Sequence, residues 1–199
     1  MTITLALLLV LAYLSGAIPW SVWLGRAFYR ADVRAVADGN PGATNAYRIG
    51  GWRLGAAVAL LDFFKAFIPV GIARWALDLP AEQLFFVALM PTVGHAFSIF
   101  LRFRGGRALT TMFGAWSGLT LYEVPMVMGG AAIVATFALR NDAHRALAVP
   151  GMALLYTLLR GKPAWMVALG AAQLLILVIK LLAPARLVSA ADESPRVTP

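Results

Sequence analysis

Long apolar runs, separated by short polar segments, constrain the fold of this chain more than any other feature of its sequence. An α-helix that crosses a membrane needs roughly 20 predominantly apolar residues. Of the 199 residues, 61% are hydrophobic and only 13% are charged, whereas a soluble domain carries roughly 25% charged residues. A soluble fold of this size has too little interior to bury so much apolar surface. The sequence therefore predicts an all-α integral membrane protein.

The apolar runs predict about seven transmembrane segments. A run at 108–139 is too long for one helix, and it contains Leu121-Tyr122-Glu123-Val124-Pro125. Proline and the residue before it disfavour helix continuation, so we divide the run there. The other predicted segments are 4–25, 54–77, 84–101, 146–159 and 164–182. We expect one membrane domain at 1–188 and a polar, disordered cytoplasmic tail at 189–199.

The distribution of lysine and arginine predicts the orientation of the chain. Residues 1–11 contain no lysine or arginine, whereas a secretion signal begins with a positively charged region. The first segment is therefore expected to be retained, with its N-terminus outside. Seven crossings then put most of the basic residues on the cytoplasmic side, as the positive-inside rule requires. The C-terminus is expected to be cytoplasmic.

The scarcity of metal ligands argues against a metal site. The chain has no cysteine, which excludes disulfides and thiolate chemistry. Two histidines, His95 and His144, and nine acidic residues argue against a zinc or di-iron centre, and we predict no metal and no cofactor. A net charge of +8 is also found in nucleic-acid-binding proteins. In a membrane chain, the positive-inside bias and anionic lipid headgroups explain it, so we expect contact with membrane lipids and no nucleic acid.

A polar loop between the first two apolar runs forms the first candidate site. It contains Asp38-Gly39-Asn40-Pro41-Gly42-Ala43-Thr44-Asn45-Ala46-Tyr47-Arg48. Glycines let successive backbone N–H groups form anion-binding nests, and arginine recognises phosphate with two parallel hydrogen bonds. Long connections between helices are often functional. The pattern favours an anion-binding loop, and the alternative is a solvated turn.

A second candidate site begins at Gly94-His95 and ends in Arg104-Gly105-Gly106-Arg107, just before a new apolar run. The N-terminus of a helix carries partial positive charge, so both guanidinium groups and free backbone N–H groups are expected to face one small volume. Arginines that only stop translocation would explain the charge but not the glycine pair. His95 is either a functional group or a structural hydrogen-bond donor, and His144 is expected in a solvated loop.

Two charged residues, Asp62 and Lys65, fall inside the second apolar run. A spacing of three residues puts them on one helix face. Charges within a membrane segment face protein or a cavity and usually pair. An orienting ion pair and a functional role both fit. The chain has no Gly-x-Ser-x-Gly motif and no P-loop, so an enzyme of this composition would bind and align anions rather than use an elaborate nucleophile.

Together these motifs resemble those of the bacterial acyl-phosphate-dependent glycerol-3-phosphate acyltransferases. Gly39 to Asn45 with Arg48 is similar to the first signature of that family. The second signature is similar to Gly94-His95 followed by Phe100-Leu101-Arg102-Phe103-Arg104-Gly105-Gly106-Arg107-Ala108 and Thr111. Gly16-Ala17-Ile18-Pro19 and Asp62-Phe63-Phe64-Lys65 also match. The resemblance covers roughly residues 13–111.

The resemblance implies a seven-span enzyme of the bacterial inner membrane with its active site facing the cytoplasm. Such an enzyme transfers an acyl chain from acyl-phosphate to the 1-hydroxyl of sn-glycerol 3-phosphate, giving lysophosphatidic acid and phosphate, the first step of phospholipid biosynthesis. Its partners are acyl-phosphate, glycerol 3-phosphate and membrane lipids. On this basis the predicted catalytic residues are Asn45, His95, Arg104 and Arg107. The predicted substrate-binding residues are Asn40, Gly42, Thr44, Arg48, Gly105 and Gly106.

The chain departs from the family pattern at several positions. Asp38 stands where a serine is usual, Arg104 and Arg107 replace lysines, and Ala108 replaces a glycine. A third signature, an Arg-His-x-x-Asn-Ile-x-Arg-like run, is replaced by Ile179-Lys180-Leu181-Leu182-Ala183-Pro184-Ala185-Arg186. These departures leave an alternative open, a catalytically silent or regulatory lipid-binding member of the family. A small anion transporter ranks last, because transporters usually contain inverted repeats and none is recognisable here.

Overall fold

A computed structural model describes residues 3–182, and the regular secondary structure of this part of the chain is helical, without strands. The eight α-helices are α1 (Ile3–Ala17), α2 (Trp20–Tyr29), α3 (Ala43–Gly71), α4 (Ala81–Ala96), α5 (Leu109–Thr120), α6 (Glu123–Ala138), α7 (Asp142–Leu159) and α8 (Ala164–Leu182). Short 3-10 turns cover Val33–Ala35 and Ile99–Leu101, and a π-helical turn, Ile72–Ala76, extends α3. The predicted tail at 189–199 lies outside the described residues.

The lengths and hydropathy of the helices agree with a membrane protein. Three helical stretches are long and apolar enough to cross a bilayer, namely Ala43–Ala76, Ala81–Leu101 and Ala164–Leu182, and α1 with α2 makes a fourth if the bent pair counts as one span. Large apolar side chains cover the outer surface, and Phe137 is 87% exposed. An apolar surface of this kind is suited to contact with lipid. The seven crossings and the orientation stay predictions.

Proline decides two of the helix boundaries. The predicted break within 108–139 is confirmed, since α5 ends at Thr120 and α6 begins at Glu123. The prediction of one continuous segment at 4–25 is wrong, because α1 and α2 meet at an angle of 41° around Ile18 and Pro19. Proline has no N–H to continue the helical ladder. The sequence prediction missed this break because it relied on hydropathy, which does not distinguish Pro19 from its apolar neighbours.

Two other helices begin earlier than their apolar runs. Helix α3 starts at Ala43, and the polar residues of the first candidate site form its first turns. A kink at Gly50 and Gly51, where the backbone is not helical, separates these turns from the apolar part of the helix. Helix α7 starts at Asp142, where the Asn141 side chain accepts hydrogen bonds from the N–H groups of Ala143 and His144. His144 is therefore in the first turn of a helix and not in a loop, although it is exposed as predicted.

Glycine allows the helices that carry the site to pack closely. Helix α1 packs along α4, and a Cβ on Gly94 of α4 would lie only 2.2 Å from the carbonyl oxygen of Tyr13. Helix α3 packs along α5, where a Cβ on Gly114 would lie 2.1 Å from the Phe63 carbonyl oxygen. Small residues at helix interfaces let backbones approach in this way. The packing brings the loop after α2 and the loop after α4 to the same end of the bundle.

Candidate functional site

The two loops singled out by the sequence contact each other directly. The Asn40 side-chain oxygen accepts a hydrogen bond of 3.0 Å from the backbone N–H of Arg107. The guanidinium of Arg107 forms an ion pair of 2.9 Å with the carboxylate of Asp38. Residues more than sixty positions apart in the chain thus form one site at the end of the bundle.

Asn45 organises the first loop from its buried position in the first turns of α3. Its side-chain nitrogen lies 3.1 Å from the Val36 carbonyl oxygen, 3.0 Å from an Asp38 carboxylate oxygen and 3.0 Å from the Asn40 carbonyl oxygen. Its side-chain oxygen accepts a hydrogen bond of 2.7 Å from Arg48. These contacts show Asn45 holding the loop and orienting Arg48, while its direct participation in catalysis stays a prediction.

The glycine pair of the second loop lies against His95. The N–H of Gly106 donates to the His95 carbonyl oxygen at 3.1 Å. A Cβ on Gly105 would lie 1.9 Å from that oxygen, and a Cβ on Gly106 would lie 2.6 Å from His95 Nε2. A side chain at Gly105 would force the backbone of the loop or of α4 to move, and one at Gly106 would displace the side chain of His95 or Asn40. The glycine pair is therefore required by the close approach of this loop to α4. A role of the neighbouring arginines in stopping translocation does not explain this pair.

Ala108 has a left-handed backbone conformation directly before α5, with φ of +63°. Glycine adopts this conformation at little cost, whereas an L-residue with a Cβ is strained. The substitution of alanine for the family's glycine therefore leaves the backbone geometry in place at an energetic cost.

A polar cavity of about 540 Å³ opens between the first loop, the end of α4, the start of α5 and helices α6 and α7. Seven of the predicted site residues line it, namely Asn40, Gly42, Thr44, Asn45, Arg48, His95 and Arg107. Arg145 and Asp142 of α7 also line it, and no local pattern in the sequence indicates either residue. Guanidinium groups of Arg48, Arg107 and Arg145 and carboxylates of Asp38, Asp62 and Asp142 make up its charges. This chemistry suits a small phosphorylated polyol, which offers both an anion and hydroxyl groups.

An amphiphilic cavity of about 570 Å³ lies on the other side of the Asp38–Arg107 ion pair. Arg104, Gly105, Arg107 and Lys180 line it, together with the apolar side chains of Phe97, Phe103, Ile179, Leu181 and Leu182. Arg107 thus borders both cavities, whereas Arg104 and Gly105 border only this one of the two. Gly106 borders neither, since it packs between His95 and Asn40. Cations next to an apolar wall suit the anionic head of an amphiphile.

Lys180 enters this cavity from the last described helix, where the third family signature was expected. Its ammonium lies 5.4 Å from the centre of the Phe97 ring, a distance at which cation–π attraction operates. No pattern around Lys180 in the sequence indicates a site. Its place follows from the packing of α8 against α4.

A buried charged cluster lies beneath the polar cavity. Asp62 and Lys65 form an ion pair of 2.7 Å, and both side chains are 3% exposed. The Lys65 ammonium also donates to the Ile18 carbonyl oxygen at 3.0 Å and lies 2.8 Å from His95 Nδ1. Thr111 Oγ1 lies 3.2 Å from the same nitrogen. The pairing of Asp62 with Lys65 agrees with the sequence, but the contact with His95 was missed, because it joins positions on different helices.

Basic residues at the end of α2 and at the start of the first loop have structural partners. The buried carboxylate of Asp32 forms ion pairs with Arg26 at 2.9 Å and with Arg34 at 2.5 Å. It also accepts a hydrogen bond from the Arg34 backbone N–H, which caps the short turn Val33–Ala35. The positive charge of the loop is thus divided between residues that shape it and residues that face the cavities.

Comparison with known proteins identifies a family. Residues 6–188 match the family model described as glycerol-3-phosphate acyltransferase. Glycerol-3-phosphate acyltransferase 1 of Thermotoga maritima is 41% identical over 123 residues, which cover 61% of this chain and 60% of that protein. The Thermus thermophilus glycerol-3-phosphate acyltransferase is 40% identical over 164 residues, 80% of this chain and 79% of that protein. The match thus spans about three fifths of the T. maritima relative. The family predicted from the two loops is confirmed.

The fold is also that of a solved member of the family. The crystal structure of PlsY, an integral membrane glycerol 3-phosphate acyltransferase in its glycerol 3-phosphate form, aligns with a TM-score of 0.79 and 26% identity. The alignment covers 89% of this chain and 88% of that one. The membrane character of the chain thus has support from its own helices and from a solved relative.

Proposed function

Because the chain belongs to the glycerol-3-phosphate acyltransferase family, we propose that it transfers an acyl chain from acyl-phosphate to the 1-hydroxyl of sn-glycerol 3-phosphate. The products are lysophosphatidic acid and inorganic phosphate. One observation carries the proposal beyond family membership: a polar cavity and an amphiphilic cavity adjoin at Arg107. The two proposed substrates differ in the same way, since one is a small polar phosphate and the other carries an acyl chain.

Glycerol 3-phosphate is assigned to the polar cavity. Arg48 and Arg107 supply charge for its phosphate, and the N–H groups at the start of α3, beside Gly42 and Thr44, add partial positive charge. His95, at the cavity wall, orients the substrate through one hydrogen bond. The hydrogen bond from Arg48 to Asn45 preorganises the guanidinium, so less side-chain entropy is lost on binding.

Acyl-phosphate is assigned to the amphiphilic cavity. Its phosphate contacts Arg104, Arg107 and Lys180, and its acyl chain follows the apolar side chains of Phe97 and Phe103. Lys180 replaces in part the cations of the third signature that the sequence lacks. Since Arg107 borders both cavities, the reacting carbonyl lies near this residue, between the two binding sites.

The reaction requires alignment and charge stabilisation rather than a protein nucleophile. The 1-hydroxyl oxygen of glycerol 3-phosphate attacks the acyl carbonyl carbon, and the bond from that carbon to the phosphate oxygen breaks. The departing phosphate takes the hydroxyl proton, so atoms and charges balance. Acyl-phosphate is already activated, and holding both reactants in place supplies much of the rate enhancement. Guanidinium groups of Arg104 and Arg107 stabilise the negative charge that develops.

The proposed location of this reaction is the cytoplasmic face of the bacterial inner membrane. Both cavities lie at the end of the bundle that carries the loops after α2 and α4, and these loops contain the arginine clusters. The positive-inside rule supports the assignment of such loops to the cytoplasm. Reporter fusions after α2 and after α3 test the orientation directly.

The test is turnover by the purified protein in detergent. Acyl-phosphate and labelled glycerol 3-phosphate are supplied together, and acyl-CoA is supplied in a parallel reaction. Lysophosphatidic acid is expected from acyl-phosphate alone. Arg48→Ala is expected to abolish turnover. The control is Arg53→Ala, which removes an exposed arginine beyond the kink of α3 that borders neither cavity, and this variant is expected to retain turnover. Equal activity of the two variants would contradict the assignment of Arg48.

The replacement of the third signature favours a second candidate function, a silent or regulatory lipid-binding member. Such a protein would bind acyl-phosphate or lysophosphatidic acid in the amphiphilic cavity without converting them. Folded protein that binds a non-hydrolysable acyl-phosphonate but gives no product with either donor would support this second candidate.

A further inference from the structure

The Lys65 ammonium is held at a fixed place beneath the polar cavity. It lies 2.7 Å from an Asp62 carboxylate oxygen, 3.0 Å from the Ile18 carbonyl oxygen and 2.8 Å from His95 Nδ1. An ammonium has three N–H donors and no acceptor, so Lys65 is the donor in its hydrogen bonds with the Ile18 carbonyl oxygen and with His95 Nδ1. Its contact with Asp62 is an ion pair without hydrogen-bond geometry. In a buried site an unused ammonium donor would be costly. This arrangement therefore requires that Nδ1 of His95 accepts.

The acceptor role of Nδ1 determines where His95 carries its proton. A neutral imidazole has one nitrogen that donates and one that accepts. Since Nδ1 accepts from Lys65, the ring proton is on Nε2, and a doubly protonated ring is excluded. The Thr111 hydroxyl, 3.2 Å from Nδ1, is able to donate or accept and so fits either form without enforcing one.

The Nε2 edge of the ring lies on the side of the second loop and the cavity. A Cβ built on Gly106 would lie 2.6 Å from His95 Nε2 and 3.0 Å from the Asn40 side-chain oxygen. Both His95 and Asn40 line the polar cavity. Because Nδ1 accepts a hydrogen bond from Lys65, Nε2–H is the group of the ring that is able to donate a hydrogen bond to a ligand.

We propose that Lys65 is a positioning residue that fixes His95 as an Nε2–H hydrogen-bond donor towards a phosphate oxygen in the polar cavity. His95 then does not take the hydroxyl proton, in agreement with its transfer to the departing phosphate. The inference deepens the proposed function and rests on it for the identity of the ligand. The tautomer itself follows from the geometry of Lys65 and His95.

The position of the proton is measurable without turnover. His144→Gln removes the other histidine of the chain, at an exposed position outside both cavities, and leaves His95 as the single histidine. Nitrogen–proton correlation spectra of the histidine-labelled full-length protein in detergent are expected to show the Nε2–H form alone. A proton on Nδ1, a doubly protonated ring or a mixture of tautomers would overturn the proposal.

A second spectrum tests whether Lys65 is the cause. The double variant Asp62→Asn/Lys65→Met, in the His144→Gln background, removes the ammonium without leaving a buried carboxylate alone. The tautomers of His95 are expected to mix in this variant. A spectrum that still shows only the Nε2–H form would assign the tautomer to Thr111 or to the ring's surroundings, and Lys65 would lose its role.

Two amide substitutions test the donor role in turnover. The side-chain nitrogen of glutamine reaches the place of Nε2, whereas that of asparagine stops near the place of Nδ1. His95→Gln is therefore expected to keep a kcat/KM for glycerol 3-phosphate roughly tenfold above that of His95→Asn, the value of one hydrogen bond to a charged group. Equal losses in both variants would contradict donation from Nε2. If the wild-type protein forms no product, the proposed function fails, and the spectra still decide the tautomer.

Discussion

The buried ion pair between Asp62 and Lys65 makes a strong prediction about stability. Both side chains are 3% exposed, so water compensates little for a lost partner. Lys65→Met leaves the Asp62 carboxylate uncompensated, and the loss of one member of a buried pair costs about 3–5 kcal/mol. The Ile18 carbonyl oxygen also loses its donor, which adds about 1 kcal/mol. For a chain of this length, 1 kcal/mol corresponds to a shift in Tm of about 2–4 °C, so we expect a fall of roughly 10 °C or more.

Two companion variants make this value interpretable. Asp62→Asn/Lys65→Met removes both charges, and it is expected to recover most of the loss because no unpaired ion stays buried. Lys162→Met breaks the pair with Glu123, which measures 2.5 Å but has side chains 26% and 35% exposed. Partly exposed pairs contribute about 0–1 kcal/mol, so this control is expected to change Tm by only a few degrees.

The assay is thermal or denaturant unfolding of the purified protein in one detergent, followed through tryptophan fluorescence. The double-mutant cycle isolates the coupling between Asp62 and Lys65. The reasoning would be refuted if Lys65→Met cost no more than Lys162→Met. It would also be refuted if the double variant were as unstable as Lys65→Met, since the loss would then not come from an isolated carboxylate.

Three further predictions concern the second loop and the amphiphilic cavity. Gly105→Ala places a Cβ 1.9 Å from the His95 carbonyl oxygen. We expect it to lower the free energy of unfolding by about 1–3 kcal/mol and to reduce turnover. Gly129→Ala, whose Cβ would meet nothing within 4 Å, is the control that is expected to be tolerated in both assays. Ala108→Gly relieves the left-handed strain at φ +63° and is expected to stabilise the protein by about 0.5–1 kcal/mol; a loss of stability would contradict strain at this position. Lys180→Met is expected to raise the KM for acyl-phosphate roughly tenfold, the value of a lost charge-assisted hydrogen bond, with little change for glycerol 3-phosphate. Equal effects on both KM values would place Lys180 outside the donor site.

Hydropathy and proline positions predicted the helices whose ends coincide with the ends of an apolar run. Helix α8 occupies the predicted 164–182, and α5 and α6 separate close to Pro125. The same signal failed where helix and apolar run differ. Helix α3 has a polar first part that starts at Ala43 and a non-helical kink at Gly50 and Gly51, so hydropathy located only the apolar part that follows the kink. The bend at Pro19 was hidden because residues on both sides of it are apolar.

The site was predictable where local composition creates it. Glycines, asparagines and arginines indicated the two loops that the structure brings together, since these residue types suit close backbone approach and anion binding. The roles of these residues in a reaction stay predictions. Which cavity each residue borders was not predictable from the sequence. Arg107 borders both cavities, whereas Arg104 borders only the amphiphilic one of the two. Arg145 and Lys180 join the site only because α7 and α8 pack where they do.

Two departures from the family pattern are joined in the structure. Asp38 replaces a serine and Arg107 replaces a lysine, and the two side chains form an ion pair of 2.9 Å. The carboxylate also accepts hydrogen bonds from the Asn45 side chain at 3.0 Å and the Asn40 backbone N–H at 3.2 Å, so it serves the loop as a serine oxygen would. A carboxylate beside an anion site would repel substrate if it stood alone. Paired with a guanidinium whose side chain is 28% exposed, it forms a salt bridge worth about 1 kcal/mol or less. On the proposed function, a phosphate dianion, which offers bidentate contact and more charge, is expected to compete successfully for that guanidinium. We therefore propose that Asp38 holds Arg107 between the two cavities before substrate binds, and that it does not prevent the anion from entering.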